Sequence, residues 1–124
     1  MLYLIEFKDD RTGDELTMDF NEYQEKALIT AGVKEKDKLI LNGVMGLAGE
    51  SGECVDMMKK HLFQGHELNR EKLLDELGDV LWYIAITAEG LGYRLEEIAT
   101  YNIDKLHKRY PAGFQADRSI NRHE

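Results

Sequence analysis

The sequence predicts an all-α protein, a four-helix bundle preceded by a short β-hairpin-like extension, and three observations carry that prediction. Four segments repeat apolar residues at three- and four-residue intervals, the period of a helix with one buried face. The single proline, Pro111, lies beyond the last of them, so nothing interrupts the helical runs. The connections are short and carry Gly65, Gly90 and Gly92, which favours antiparallel neighbours.

Taken in order, residues 2–7 read as a strand. The turn-rich stretch from Asp9 to Asp14 folds back through Leu16 to Met18, so residues 1–17 form a hairpin-like extension. Helix 1 is expected from Asp19 to Ala31, with Asp19 and Glu22 at capping-box spacing and Phe20, Tyr23, Ala27 and Ala31 on one face. Helix 2 runs from Lys36 to Leu62, and its core stripe is Ile40, Val44, Leu47, Ser51, Val55, Met58 and Leu62. Helix 3 runs from Asn69 to Glu89 with Leu73, Leu77, Val80, Leu81, Ile84 and Ala88 inward; Trp82 lies off this stripe, as an interface residue would. Helix 4 runs from Arg94 to Arg109. The helical domain thus spans residues 18–114, and residues 115–124 form a polar tail.

Composition narrows the function. The chain has 124 residues, 43% hydrophobic and 32% charged, which is one folded soluble domain. Its net charge of −8 argues against broad binding to nucleic acid or anionic membranes. Cys54 is the only cysteine, the N-terminus has no basic leader, and no apolar run is long enough to span a membrane. A cytoplasmic protein is the expectation.

Two helices carry faces that a merely stable bundle would avoid. In helix 2, Gly43, Gly46, Glu50, Glu53 and Met57 line up beside the core stripe. Glu50 and Glu53, at i and i+3, repel each other, and Gly43, Gly46, Gly49 and Gly52 each weaken a helix by about 1 kcal/mol relative to Ala. In helix 3, Lys72, Glu76, Asp79 and Tyr83 repeat the pattern, with Glu76 and Asp79 as a second carboxylate pair. If the two helices are antiparallel neighbours, four carboxylates meet in one cleft, an arrangement that requires protons or a cation between them. Oxygen-only ligands select hard cations, Mg2+ or Mn2+. A solvated acidic surface is the commoner fate of any single Glu, but two such pairs beside core stripes favour a cation site. Helix 4 adds Asn102 within its apolar stripe, between Ile98 and Leu106, with Lys105 and Arg109 on the same side; together they suit phosphate oxygens.

Glu50-Ser51-Gly52-Glu53 followed, after 22 intervening residues, by Glu76-Leu77-Gly78-Asp79 resembles the EXXE…EXXD signature of the MazG-like, all-α NTP pyrophosphatases. Glu22-Tyr23-Gln24, Gly46 to Glu53, Asp75 to Tyr83 and Asn102 to Pro111 extend the resemblance over most of residues 20–114. The resemblance implies a MazG-type helical fold, usually oligomeric, a homodimer or homotetramer here. It further implies Mg2+ held by Glu50, Glu53, Glu76 and Asp79, and cleavage of nucleoside triphosphates to monophosphate and pyrophosphate. Carried over by position, Asn102, Lys105 and Arg109 would hold phosphates, Tyr83 would contact the nucleotide, and Gln24 would help to shape the base pocket. Either Glu50 or Glu53 would take the proton of the attacking water.

Three alternatives stand beside this reading. Within the superfamily, the chain resembles phosphoribosyl-ATP pyrophosphohydrolases and dimeric dUTPases. A di-iron bundle needs two Glu-x-x-His elements, and Asp104-x-x-His107 is the nearest approach to one. A non-enzymatic helical module would use the acids to bind a structural ion alone.

Overall fold

The computed structural model describes residue 8, residues 11–14 and residues 17–122. Most of the expected N-terminal hairpin therefore lies outside the described residues; residues 11–14 of it form a turn, with the Asp14 N–H donating to Thr12 Oγ1 at 3.2 Å. The described residues fold into α1 (Phe20–Ile29), α2 (Lys36–Phe63), α3 (Arg70–Leu91), α4 (Leu95–Arg109) and α5 (Ala116–Ile120). The four predicted helices form within a few residues of their expected ends. The fifth lies in the segment expected to be only a polar tail.

Local chemistry sets the helix ends. The Asp19 carboxylate accepts the Glu22 N–H at 2.8 Å, and the Asn69 side chain accepts the Lys72 N–H at 3.0 Å, so each satisfies an otherwise orphaned first-turn donor. At the end of α3 the chain needs a left-handed residue to reverse, and Gly92 supplies it at φ 81°. The Tyr93 N–H then closes back on the Ala88 carbonyl at 2.9 Å.

The dominant packing is a long α2–α3 hairpin; α1 and α4 pack on α3 and on each other. Two small buried clusters hold these contacts, one of Ala27, Ala85 and Leu95 and one of Ala31, Leu39 and Ile86. Trp82 joins both and donates its indole N–H to Thr30 Oγ1 at 2.8 Å. It therefore ties α1 to α3 within the chain.

The face that α2 buries also differs from the sequence reading. Leu39 and Gly43 are buried and Gly46, Glu50 and Met57 half-buried; of the expected core stripe Ile40 and Leu47 are half-buried too, whereas Val44, Ser51, Val55, Met58 and Leu62 are exposed. Val55 keeps 67% and Leu62 64% of its surface. Hydrophobicity favours the second face, but only the glycine face lets two backbones approach. Within one chain the helices therefore make a hairpin with two flanking helices, and the apolar side of α2 is left uncovered.

Candidate metal centre

Glycines set the register that brings the acids together. A Cβ on Gly90 would lie 2.7 Å from Ile40 Cγ1, and one on Gly43 would lie 3.0 Å from Thr87 Cβ and 3.1 Å from the Tyr83 carbonyl. A Cβ on Gly46 would enter the ring of Tyr83. The partners run in opposite directions along α2 and α3, as in an antiparallel pair. One turn beyond Gly46, Glu50 meets Asp79, which is one turn before Tyr83, and Glu76. One carboxylate oxygen from each of Glu50, Glu76 and Asp79 lies within 4.8 Å of the others.

The cluster is electrostatically unfinished without a cation. Glu50 titrates above its ordinary 4.5, chiefly because it shares a hydrogen bond with Glu76, which requires a proton on one of them. Partial desolvation and the charges of Glu76, Asp79 and Glu53 push the same way. A divalent cation can take the place of that proton, and three convergent carboxylates form the all-oxygen donor set that hard cations prefer. The residues present therefore fit such an ion.

Three of the four predicted ligands converge. Glu53 stands apart from that trio, fully on the surface, and acts on Glu50 through its charge. It lines an adjoining cavity of about 310 Å3 with Lys60, His66, Asn69 and Lys72 among its walls. Tyr83 is half-buried, its ring against Gly46 and edge-on to Trp82 at 5.1 Å, so it borders the cluster on the core side.

Gln24 has a different role from the one expected of it. Its side chain is fully buried; Nε2 lies 3.2 Å from Glu89 Oε2 and 3.0 Å from the Tyr93 carbonyl, and Oε1 accepts the Leu95 N–H at 2.8 Å. With both ends of the amide engaged, Gln24 fastens α1 to the α3–α4 junction and has nothing to offer a base. Asn102 is exposed and so is Lys105, and neither side chain makes a hydrogen bond or ion pair among the described residues. The apolar stripe expected to enclose Asn102 is uncovered in this chain, with Ile98 and Leu106 exposed beside it. Arg109 is half-buried where α4 meets α5.

Sequence reasoning placed Tyr23 on the buried face of helix 1 and gave it no part in the site. Burial raises its hydroxyl pKa, and the charge of the Asp79 carboxylate raises it further. A tyrosine where Phe would suffice, on the buried face of helix 1, was the available signal.

Residues 41–114 match the family profile of the MazG nucleotide pyrophosphohydrolase domain. The chain is also 38% identical over 82 residues to the Gene 37 protein of Mycobacterium phage L5, an overlap covering 63% of this chain and 72% of the phage protein. No solved structure matches it. The family profile covers most of α2 and all of α3 and α4 and includes every convergent carboxylate, so the chain belongs to the MazG nucleotide pyrophosphohydrolase domain family.

Proposed function

We propose that this protein is a Mg2+-dependent hydrolase that cleaves the α–β phosphoanhydride of (d)NTPs, releasing (d)NMP and pyrophosphate, with Mn2+ as a substitute ion. The observation that carries the reading is the meeting of Glu50, Glu76 and Asp79 across the α2–α3 hairpin. When bound, the ion supplies neutralisation of phosphate charge and orientation of a water for in-line attack. Glu76 and Asp79 hold their side of the site from α3, Glu50 and Glu53 from α2. One of the two α2 carboxylates receives the proton of the attacking water as its oxygen bonds to the α-phosphorus and the bond to the bridging oxygen breaks. Tyr83 contacts the nucleotide at the core side of the cluster.

The working unit in this proposal is a homodimer or homotetramer in the cytoplasm. Val44, Ala48, Ser51, Val55, Met58 and Leu62 form an uncovered stripe at alternating four- and three-residue steps, the spacing of a helix–helix seam. Leu74 and Leu77 of α3 are exposed as well. Burying a Val, Leu or Met side chain is worth about 1.5–3 kcal/mol, so a second copy has ample driving force to cover this face. Asn102, Lys105 and Arg109 on α4 then serve as phosphate ligands at a site shared between copies.

A pyrophosphate-release screen over canonical and modified NTPs and dNTPs, including dUTP and phosphoribosyl-ATP, tests the proposal with Mg2+ and Mn2+. Equimolar monophosphate and pyrophosphate, lost in Glu76→Gln, is the expected result. Turnover confined to phosphoribosyl-ATP or to dUTP would place the chain with those relatives. No release from any substrate would leave a non-enzymatic helical module.

A further inference from the structure

Given the nucleotide contact proposed for Tyr83, we infer that Thr30 and Trp82 are positioning residues for substrate binding: the Thr30 hydroxyl anchors the Trp82 indole, and the indole holds the Tyr83 ring where the nucleotide meets it.

Trp82 and Tyr83 are neighbours in sequence and differ in how their polar tips are used. Consecutive residues on a helix point about 100° apart. Trp82 turns toward the end of α1, while Tyr83 shares the row of Glu76 and Asp79. The Trp82 indole N–H donates to Thr30 Oγ1 at 2.8 Å, and the Thr30 hydroxyl donates onward to the Ala27 carbonyl at 2.6 Å. The Tyr83 hydroxyl makes no hydrogen bond among the described residues. One tip is tied down and the other is open, with Asp79 one turn away on α3 and Glu50 one turn beyond Gly46 on α2.

The tie at Thr30 reaches Tyr83 through the indole. Ala27, Ala85 and Leu95 pack against Trp82, and so do members of the cluster of Ala31, Leu39 and Ile86, which holds the body of the ring. An indole has a single donor, so the bond to Thr30 fixes which edge of the ring faces α1 and which faces Tyr83. The two rings meet at 5.1 Å and 87°, an edge-to-face pair, the geometry that aromatic quadrupoles favour. On its other side Tyr83 abuts Gly46, where a Cβ would enter the ring. Tyr83 is thus held between the backbone of α2 and an indole whose orientation comes from Thr30. Neither Thr30 nor Trp82 offers a group to the hydrolysis, so their loss acts on nucleotide binding and spares the chemical step.

Thr30→Val keeps the shape of the side chain and removes the hydroxyl at an exposed position, and Thr30→Ser keeps the hydroxyl. In dNTP hydrolysis with Mg2+, Thr30→Val should raise KM about threefold to tenfold at unchanged kcat, the size of one weakened aromatic contact, and Thr30→Ser should match the parent. In a Tyr83→Leu background Thr30→Val should have no further effect on KM, because the residue it acts through is gone. Two measurements need no turnover. Trp82 is the only tryptophan, so the near-ultraviolet circular dichroism band of the indole in metal-free protein should weaken in Thr30→Val and persist in Thr30→Ser. Calorimetric titration with the α,β-imido analogues of the common dNTPs and Mg2+ should show affinity falling as KM rises. Analogue binding weakened by Thr30→Val in a protein that hydrolyses nothing would support the positioning role while refuting the hydrolase. KM and analogue affinity unchanged in Thr30→Val would overturn the positioning role, whether or not the indole band weakens, and leave the hydrolase standing. Equal KM effects in the parent and Tyr83→Leu backgrounds, a fall in kcat alone, or a parent that binds no analogue would overturn it as well.

Discussion

Gly46→Ala and Gly49→Ala make the same chemical change three residues apart on α2, and the structure assigns them opposite signs. Both gain helix propensity, about 1 kcal/mol for replacing Gly by Ala in a helix interior. At Gly49 an added Cβ meets nothing within 4 Å, so the gain stands. At Gly46 it would overlap the ring of Tyr83, where carbon atoms need roughly 3.5–4.0 Å between them. Tyr83 is wedged against Trp82, so either the ring leaves its rotamer or α2 and α3 move apart. Overpacking of this kind costs about 1–3 kcal/mol. Because the propensity gain is common to both variants, the difference between them isolates the clash, about 1–3 kcal/mol in favour of Gly49→Ala. Urea denaturation of the metal-free protein at one fixed concentration measures it. Gly46→Ala should also weaken Mg2+ binding, since Glu50 and Asp79 lie one turn from the displaced contact. Equal stabilisation by both substitutions would refute the close α2–α3 approach, and with it the register that brings the acids together.

Gln24→Leu should destabilise by about 1–3 kcal/mol or more, because it strands the buried Leu95 N–H and the acceptors of Nε2; thermal melts check it, and an unchanged melting temperature would return Gln24 to the candidate base pocket. The raised Glu50 pKa has a defined pH signature: the folded protein holds a proton that the unfolded chain releases, so Glu50 costs stability above its folded pKa and the cost fades as pH falls toward its ordinary 4.5. Metal-free Glu50→Gln should therefore melt above the parent at neutral pH and lose that advantage on acidification, whereas saturating Mg2+ should stabilise the parent more than the variant; a pH-independent difference between the two metal-free proteins would contradict the shared Glu50–Glu76 proton. Val55→Lys sets a charge in the uncovered α2 stripe and should shift the protein to monomer in light scattering, since each copy loses about 1.5–3 kcal/mol of apolar burial and must desolvate an ammonium. An unaltered assembly would mean that copies meet on another face.

The helices and the carboxylate pairs could be read from the chain alone. Helical periodicity and capping residues are local, and Asp19, Asn69 and Gly92 act through their own neighbours, so they could be read or framed without knowing the fold. The paired acids were legible because two glutamates at i and i+3 share a helix face whatever surrounds it. Which face of α2 turns toward α3 was decided only in three dimensions. Apolar spacing pointed to Val44, Val55 and Leu62, but a helix pair is also governed by how closely two backbones can approach, and Gly43 and Gly46 win that contest. The same distinction separates Glu50 from Glu53, equivalent as a sequence pair yet placed one inside and one outside the three-oxygen cluster. It also separates Gln24 from the site. A buried amide and a ligand-binding amide look alike in sequence, and only the partners at its two ends, one donor and a set of carbonyl and carboxylate acceptors drawn from α3 and the turn into α4, tell them apart.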